Sequence, residues 1–467
     1  MTKVDGFMLP LYVIVLAAGE GKRMRSEQPK VLLPLAGRPL LAHVLDCARA
    51  LDPMRINVVY GHRGEAVRSA FSSAQDLHWI HQALQRGTGH AVRLALEDVP
   101  EQARVLVLYG DVPLLRPEVL RRLVDARTPL ALLAAEVLDP TGYGRVMRDG
   151  LGQVRAVVEE RDADTEQRSV RWINTGILAA DARRLRVWAA NVRDTNAQRE
   201  FYLTDIFAQA AEEGVPGSCI EVADAREVLG ANDAVQLAEL EAHFRERAAL
   251  EMMRKGVRLA DPRRFDQRGT VRVGRDVEID VDVILEGDVE LGDGVHIGPF
   301  CRLRDVRLGA GTEILGHCEL QGVVTAEACR IGPFARLRPG SELAEGVAVG
   351  NFVEVKNTQL GSYTKVGHLS YLGDADIGRH VNIGAGTITC NYDGHSKHRT
   401  KIDEAAFIGS NSALVAPVHI GARATVGAGS VITKDAPAGQ LTLARARQVT
   451  LPLGHAGSNK TDGHSDA

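Results

Sequence analysis

Aliphatic residues recur at every sixth position through most of the second half of the chain. One run is Val273, Ile279, Leu285, Leu291, Ile297 and Leu303. A second is Ile331, Leu337, Leu343, Val349 and Val355, and a third is Ile402, Ile408, Leu414, Ile420, Val426 and Ile432. An α-helix, with a period near 3.6, does not give this strict spacing. A parallel β-helix does: each short strand points one aliphatic side chain inward, and stacked coils bury a continuous column. Glycine follows many of these positions, as in Leu291-Gly292, Ile297-Gly298, Ile331-Gly332 and Ile408-Gly409. The period breaks between Ile383 and Ile402. Residues Gly384 to Lys401 are therefore expected to leave the column as a loop, where repeat proteins place binding chemistry.

The first half has a different texture. Tyr12–Leu16, Ile56–Tyr60 and Val105–Tyr109 are apolar, strand-like runs, and Leu40–Leu51 between the first two has helical spacing. Such alternation predicts an α/β domain with a mostly parallel sheet covered on both faces. Ligands of such sheets sit beyond the carboxyl ends of the strands. We therefore expect a domain over 1–230 and a connecting helix over 231–255, with a partial stripe of Leu237, Leu240, Phe244 and Leu250. A β-helix domain over 256–447 and a polar, disordered tail over 448–467 follow.

Composition narrows the partners. Lys plus Arg number 56 against 60 Asp plus Glu, and aromatics make up 4%, so neither a basic surface nor stacking aromatics argue for nucleic acid. The apolar run Leu9–Ala18 is too short to span a bilayer and lacks a signal-peptide layout, so it reads as a first strand. No CxxC pair occurs among Cys47, Cys219, Cys301, Cys318, Cys329 and Cys390, which are expected to be reduced thiols of a cytoplasmic protein.

After the first strand comes Leu16-Ala17-Ala18-Gly19-Glu20-Gly21-Lys22-Arg23-Met24. Two glycines let the backbone approach a phosphate, and Arg23 and Lys30 can meet its charge. From these residues alone a tight turn with solvated basic side chains is an equal reading. A dinucleotide fold fits less well, because the third glycine and the acidic residue about 20 positions on are missing. Asp111, in Tyr109-Gly110-Asp111-Val112-Pro113, stands at the end of a buried strand. It can hold a hard cation there or simply cap the turn. Gly87-Thr88-Gly89-His90, Gly142-Tyr143-Gly144-Arg145 and Asn174-Thr175-Gly176, the last read as following a strand Val170–Ile173, are further turns that suit a polar ligand.

In the repeat half, Arg338, Lys356, His368, Tyr371, Asn391 and Tyr392 cluster near the irregular segment. The imidazole of a histidine titrates near neutrality and suits proton removal, although a lone surface histidine is most often just solvated. A coil of this kind can also be a passive oligomerisation rod.

Leu16–Met24 with Gln28-Pro29-Lys30-Val31-Leu32 resembles the sugar-1-phosphate nucleotidyltransferase signature. Gln82–Ala91, Tyr109–Pro113, Pro140–Arg145 and Asn174–Ile177 look specifically like the bifunctional GlmU family, as do Gly367-His368-Leu369-Ser370-Tyr371 and Cys390-Asn391-Tyr392-Asp393-Gly394. The likeness runs from about residue 11 to 447. It implies a Rossmann-like nucleotidyltransferase domain followed by a left-handed parallel β-helix of hexapeptide repeats. It also implies two reactions: acetyl-CoA-dependent N-acetylation of glucosamine-1-phosphate, then uridylyl transfer from UTP to N-acetylglucosamine-1-phosphate with release of pyrophosphate. The product, UDP-N-acetylglucosamine, feeds peptidoglycan and lipopolysaccharide precursor synthesis.

By the same resemblance Leu16, Ala17, Ala18 and Gly19 hold nucleotide phosphates, and Arg23 and Lys30 neutralise the departing pyrophosphate. Gln82, Gly87 and Thr88 read the uracil, beside Tyr109 and Gly110. Gly144, Glu159 and Asn174 hold the sugar, while Asp111 and Asn232 bind Mg²⁺. In the β-helix His368 is the general base, and Arg338 and Lys356 grip the sugar phosphate. Tyr371 and Asn382 place the sugar. Asn391 and Tyr392 orient the reacting groups, with an amide donor for the thioester oxyanion. Ala385, Ser410, Ala428 and Arg445 line the acetyl-CoA site. Family members form homotrimers through the β-helix. The family usually carries Thr where this chain has Lys22, which bears on the local phosphate contacts.

Three readings follow: a two-activity enzyme, a single-activity nucleotidyltransferase with a structural β-helix, and a non-catalytic assembly protein. Asp111 with Arg23 and Lys30 speaks against the third, and His368 with the Asn391-Tyr392 loop favours the first over the second.

Overall fold

The computed structural model describes residues 3–4, 7–19, 21–61 and 63–452, with the side chains of Lys3, Val4, Phe7, Met8 and Lys22 outside the description. The chain divides into two compact units. One comprises the chain through Arg254 with Phe265–Gly269, and the other Lys255–Arg264 and the chain from Thr270 onward. Among the described residues no helix is long and apolar enough to cross a membrane. The expected disorder of the tail falls outside the description from residue 453; residues 448–452 are exposed and without regular structure.

Among the described residues of the first unit, nine strands form one sheet. In chain order they are β1 (Leu11–Ala17), β2 (Arg55–Tyr60), β3 (Leu77–His81), β4 (Arg104–Tyr109), β5 (Leu130–Glu136), β6 (Arg145–Arg148), β7 (Val154–Val158), β8 (Trp172–Asp181) and β9 (Ser218–Glu221). The order across the sheet is β7-β6-β8-β4-β1-β2-β3, with β5 paired to β8 and β9. Strands β4, β1, β2 and β3 are mutually parallel. Strand β8 runs antiparallel to β4, β5 and β6, so the sheet is mixed rather than mostly parallel.

The apolar runs of the parallel strands have a direct cause. Val13 and Val15 enter one core with Leu106, Leu108 and Leu41, while Ile14 and Leu16 enter the opposite core with Val105, Val107 and Val92. Both faces are covered, by helices Leu40–Arg49 and Thr88–Leu96 among others, so the strands are almost wholly apolar, and the buried Asn57 of β2 donates to the Ala95 carbonyl at 3.1 Å.

Helix Ala234–Arg254 belongs to this unit. Leu240 packs with Leu35, Leu40, Leu114 and Ala231, and Leu237 and Phe244 lie against them. The stripe read from sequence is wrong at Leu250, which faces solvent; Ala248, Ala249 and Met252 are the buried residues of that turn.

The second unit is the expected parallel β-helix. Three inward columns run its length. Ile279 pairs with Ile297, which pairs with Ile314 and so on to Ile331 and Val349. Leu285, Leu303, Leu320, Leu337 and Val355 make the second column, and Leu291, Leu308, Thr325, Leu343 and Leu360 the third. Neighbouring coils are offset by 17 or 18 residues, about three hexapeptides. The glycines after the inward residues are there for space. A Cβ at Gly292 would sit 2.7 Å from the amide nitrogen of Ala310, and one at Gly409 would sit 2.4 Å from that of Ala428.

The predicted loop Gly384–Lys401 is too long. Ile388–Cys390 remains a strand of the coil, paired with Ala413–Val415, and Thr400–Ile402 rejoins it. The apolar period failed here because Thr389 takes an inward position. It is fully buried, and its hydroxyl accepts from the Gly373 amide at 2.7 Å and donates to the Gly373 carbonyl at 3.0 Å. Only the stretch from about residue 391 to 399 leaves the column.

Thr389→Val suits the apolar pattern yet strands the Gly373 amide. It is expected to lower the stability of the coil by about 1–3 kcal/mol, the cost of an unpaired buried donor. Leu414→Ala should cost about 2–5 kcal/mol through the cavity it leaves. Chemical denaturation followed by circular dichroism measures both.

Candidate functional site

The carboxyl ends of β1, β2 and β4 open into a cavity of about 890 Å³. Leu16, Ala17, Ala18 and Gly19 line it from β1, Tyr109 and Asp111 from β4, and Lys30, Gln82, Gly87, Thr88 and Asn232 from loops and one helix start. Gly21 adopts φ +63°, and a Cβ there would press to 2.8 Å on the Cβ of Lys30, so the phosphate-loop glycine turns closely around that lysine.

Lys30 is the hub. Its ammonium pairs with the Asp111 carboxylate and donates to Asn232 Oδ1 at 3.4 Å. Asp111 and Asn232, far apart in sequence, thus point oxygens at one cation. Lys30 and Asp111 side chains are 13% and 15% exposed, so this charge pair is largely withdrawn from water. Among the described residues no group of three or more His, Cys, Asp or Glu side chains is gathered as for a metal. The convergence is one carboxylate and one amide oxygen.

Beside this, Gln82 is buried and donates to the Gly87 carbonyl at 3.2 Å. Gly87 takes φ +103°, and a Cβ there would lie 2.6 Å from the Phe201 carbonyl oxygen, so only glycine fits. Thr88 begins helix Thr88–Leu96 rather than standing in a free turn, and its hydroxyl accepts from the Leu203 amide at 3.1 Å. Burial raises the Tyr109 phenol well above its ordinary range, aided by the Glu159 charge, so it stays protonated; it bonds Thr88.

Gly144, Glu159 and Asn174 form a second group. The Asn174 amide donates to the Gly144 carbonyl at 2.8 Å, and a Cβ at Gly144 would touch both Glu159 Oε2 and Asn174 Cβ at 3.3 and 3.4 Å. Glu159 accepts from the Thr204 hydroxyl at 3.0 Å. Burial raises its carboxyl pKa; the Thr204 bond opposes this, and Asp205 and Asp162 add to it. Asn174-Thr175-Gly176 does not follow a strand as predicted. It interrupts the register of β8, which resumes at Leu178, and Gly176 lies under the Tyr109 ring with φ +78°. Gly110 is buried against Val31 and Leu41 and shapes the strand end, whereas Arg23 is exposed.

On the β-helix, His368 is exposed, and its Nδ1 lies 2.6 Å from Asn351 Oδ1 on the coil before. Arg338 donates to Glu354 at 2.8 Å. The Lys356 ammonium lies beside that of Lys397, which lowers its pKa, with a smaller contribution from burial. The Tyr371 ring lies over Gly373. Asn382 pairs in register with Lys365 and Phe407 on the coils either side. Asn391 is buried and donates to Asp374, while Tyr392 is exposed and donates to the Gly394 carbonyl at 2.6 Å. Ala385, Ser410 and Ala428 follow one another on successive coils. Their carbonyls accept from the Asn411 amide, the Gly429 amide and the Arg445 guanidinium at 2.7, 2.8 and 2.7 Å.

Residues 13–171 match the model of the MobA-like NTP transferase domain, and 270–305 and 399–434 match the bacterial transferase hexapeptide repeat. The chain is 60% identical over 443 residues to the bifunctional protein GlmU of Xanthomonas axonopodis pv. citri (strain 306), spanning 95% of this chain and 97% of that one. It is 60% identical over 442 residues to the bifunctional protein GlmU of Stenotrophomonas maltophilia (strain K279a), with the same coverage. To that of Xylella fastidiosa (strain 9a5c) it is 58% identical over 443 residues, again covering 95% and 97%.

The chain belongs to the GlmU family.

It is accordingly a two-activity transferase that makes UDP-N-acetylglucosamine, with uridyltransferase and N-acetyltransferase reactions and nucleotide, amino-sugar phosphate and acetyl-CoA substrates. The single-activity and non-catalytic readings fall away.

Several residues around these GlmU sites escaped the sequence reading. Gln85 donates to the Ala18 carbonyl at 2.6 Å and braces the phosphate loop. Thr204 binds Glu159, Asn351 faces His368, and Asp374 holds Asn391. Asn351 and Asp374 do stand at strand ends beside glycines, but nothing in the sequence marks their partners, which appear only when coils or loops are stacked.

The raised Glu159 pKa sets a stability prediction. Its protonated form is favoured on folding, so the stability it contributes is present at low pH and lost as pH rises from the ordinary carboxylate value through the raised one. Glu159→Gln keeps an acceptor for Thr204 and removes the charge. Its gain in melting temperature over the parent should be larger at pH ~7.5, well above the ordinary carboxylate value, than at pH ~4.5, close to it; differential scanning calorimetry at the two pH values tests this.

Proposed function

We propose that the first unit carries uridylyl transfer in the cavity at the ends of β1, β2 and β4, and that the second carries acetyl transfer around His368. The observation that carries the first half is the convergence of Asp111, Asn232 and Lys30 at the mouth of a glycine-bearing phosphate loop. The sugar phosphate is itself the nucleophile, so the protein has to position two anionic substrates and offset their charge. Leu16, Ala17, Ala18 and Gly19 receive the nucleotide phosphates, and Lys30 and Arg23 meet the pyrophosphate. Gln82, Gly87 and Thr88 face the base, beside Tyr109 and Gly110. Gly144, Glu159 and Asn174 hold the sugar.

Asp111 and Asn232 would hold Mg²⁺. Their donor set fits: a hard cation takes oxygen ligands and completes its shell with water and substrate phosphate, and a cation already rests between these two oxygens in the form of the Lys30 ammonium. When bound, the metal supplies positive charge that offsets the phosphates.

In the second unit His368 takes a proton from the amine of glucosamine-1-phosphate as it attacks the thioester carbon and coenzyme A leaves. The 2.6 Å contact with Asn351 holds the ring, so its other nitrogen is free for the amine. Arg338 and Lys356 meet the sugar phosphate, Tyr371 and Asn382 the sugar, and Asn391 and Tyr392 the reacting groups. The row of Ala385, Ser410, Ala428 and Arg445 offers acetyl-CoA an extended track along one edge of the coil. Because His368 and Tyr392 lie open on the outside of a single coil, a second copy of the chain is the natural wall of this site. A cytoplasmic homotrimer through the β-helix meets that need.

His368→Ala should lower coenzyme A release by about 10²–10⁴-fold, the usual worth of a general base, and leave pyrophosphate release unchanged. Asp111→Asn should do the reverse, with a loss of about a hundredfold or more. A thiol-release assay and a pyrophosphate assay on the same preparations decide. Loss of both activities in either folded variant rejects the division of labour.

A further inference from the structure

Asp374 is a buried acidic group of the second unit that no step above uses. It is 5% exposed, at a coil corner with φ +49°. Its Oδ1 accepts from Asn357 Nδ2 at 2.5 Å and its Oδ2 from Asn391 Nδ2. Its backbone amide donates to the Lys356 carbonyl at 3.0 Å, and its carbonyl accepts from the Thr400 amide at 3.1 Å. The clasp therefore joins the coil that carries Lys356 to the start and the end of the excursion that carries Asn391.

Burial alone would raise the carboxyl pKa of Asp374. The Asn357 and Asn391 amides, with the Lys356 and Lys397 charges, outweigh it and hold the group ionised. An ionised carboxylate only accepts hydrogen bonds, so it must meet the NH₂ end of the Asn391 amide. The carbonyl oxygen of Asn391 is then turned away from Asp374. A buried amide free to flip would present either end to a substrate, and this one is not free.

We propose that Asp374 is a positioning residue for acetyl transfer: it locks the Asn391 side chain so that its carbonyl oxygen faces the substrate and receives an N–H of the attacking amine. This rests on the reading of Asn391 as a residue of the acetyl-transfer site, and it narrows that residue's expected role of orienting the reacting groups to that of an amine acceptor. No bond to Asp374 forms or breaks in the reaction; it acts through geometry.

The test uses the full chain and steady-state coenzyme A release. Asp374→Asn lets Asn391 flip and should lower kcat about a hundredfold, the scale of an ångström-sized misplacement. The KM for acetyl-CoA should stay within about twofold, which reports an intact coil. Asn391→Ala should lose as much, and D374N/N391A no more than N391A alone. The exchanged pair D374N/N391D rebuilds the clasp with an oxygen still presented to substrate. It should recover much of the loss, and it serves as the second variant if Asp374→Asn does not fold. Loss in N391A with wild-type kcat in D374N overturns the inference alone, as does an exchanged pair no better than D374N. Wild-type kcat in N391A overturns the reading of Asn391 on which the inference rests.

Discussion

The backbone ladder between coils governs the second half of this molecule. Each strand gives its amides to the carbonyls of the next coil, as Glu313 does to Cys329 and Arg330 to Val347, and this brings equivalent residues of successive coils into van der Waals contact. Aliphatic columns, glycines with no room for a Cβ, and stacks such as Phe300–His317–Phe334–Phe352 with centroids about 5 Å apart are all consequences of that one spacing. So is the chemistry. Asn351 reaches His368, and Asn357 and Asn391 reach Asp374, because each pair is one coil apart.

The first unit reaches its site by another constraint. Parallel strands buried on both faces hold few polar residues, and the loops that carry most of them meet beyond the carboxyl ends. The Lys30–Asp111 pair is the electrostatic centre of that meeting. It keeps a carboxylate and an ammonium together in a largely dry cleft. The neighbouring Tyr109 and Glu159, both with pKa raised by burial, lie in the same low-dielectric surroundings, where a hydrogen bond counts for more than in water.

Legibility differed sharply between these parts. The six-residue period gave the β-helix and its inward aliphatic residues directly, because burial of one aliphatic per strand is a demand on composition at fixed intervals. It failed at Thr389, where a hydroxyl satisfied by Gly373 replaces an aliphatic, and so the excursion was drawn too long. In the sheet, the three parallel strands Leu11–Ala17, Arg55–Tyr60 and Arg104–Tyr109 were plain, but the other strands and the strand directions were not. Nothing in the run Trp172–Asp181 distinguishes an antiparallel partner from a parallel one, and the pairing was decided by neighbours far along the chain. Leu250 was taken as inward because spacing alone does not say where a helix meets its core.

Alone, then, the sequence determined the coil, the buried strands, the glycine turns and, by resemblance of its motifs, the family. These are local or periodic properties, written wherever hydrophobic burial or a tight backbone requires a particular residue. Tertiary structure alone decided which polar groups became partners: Lys30 between Asp111 and Asn232, and Asp374 between Asn357 and Asn391. A hydrogen bond needs atoms within about 3 Å and a direction, and chain separations of 81 and 202 residues carry no trace of that distance until the fold closes it.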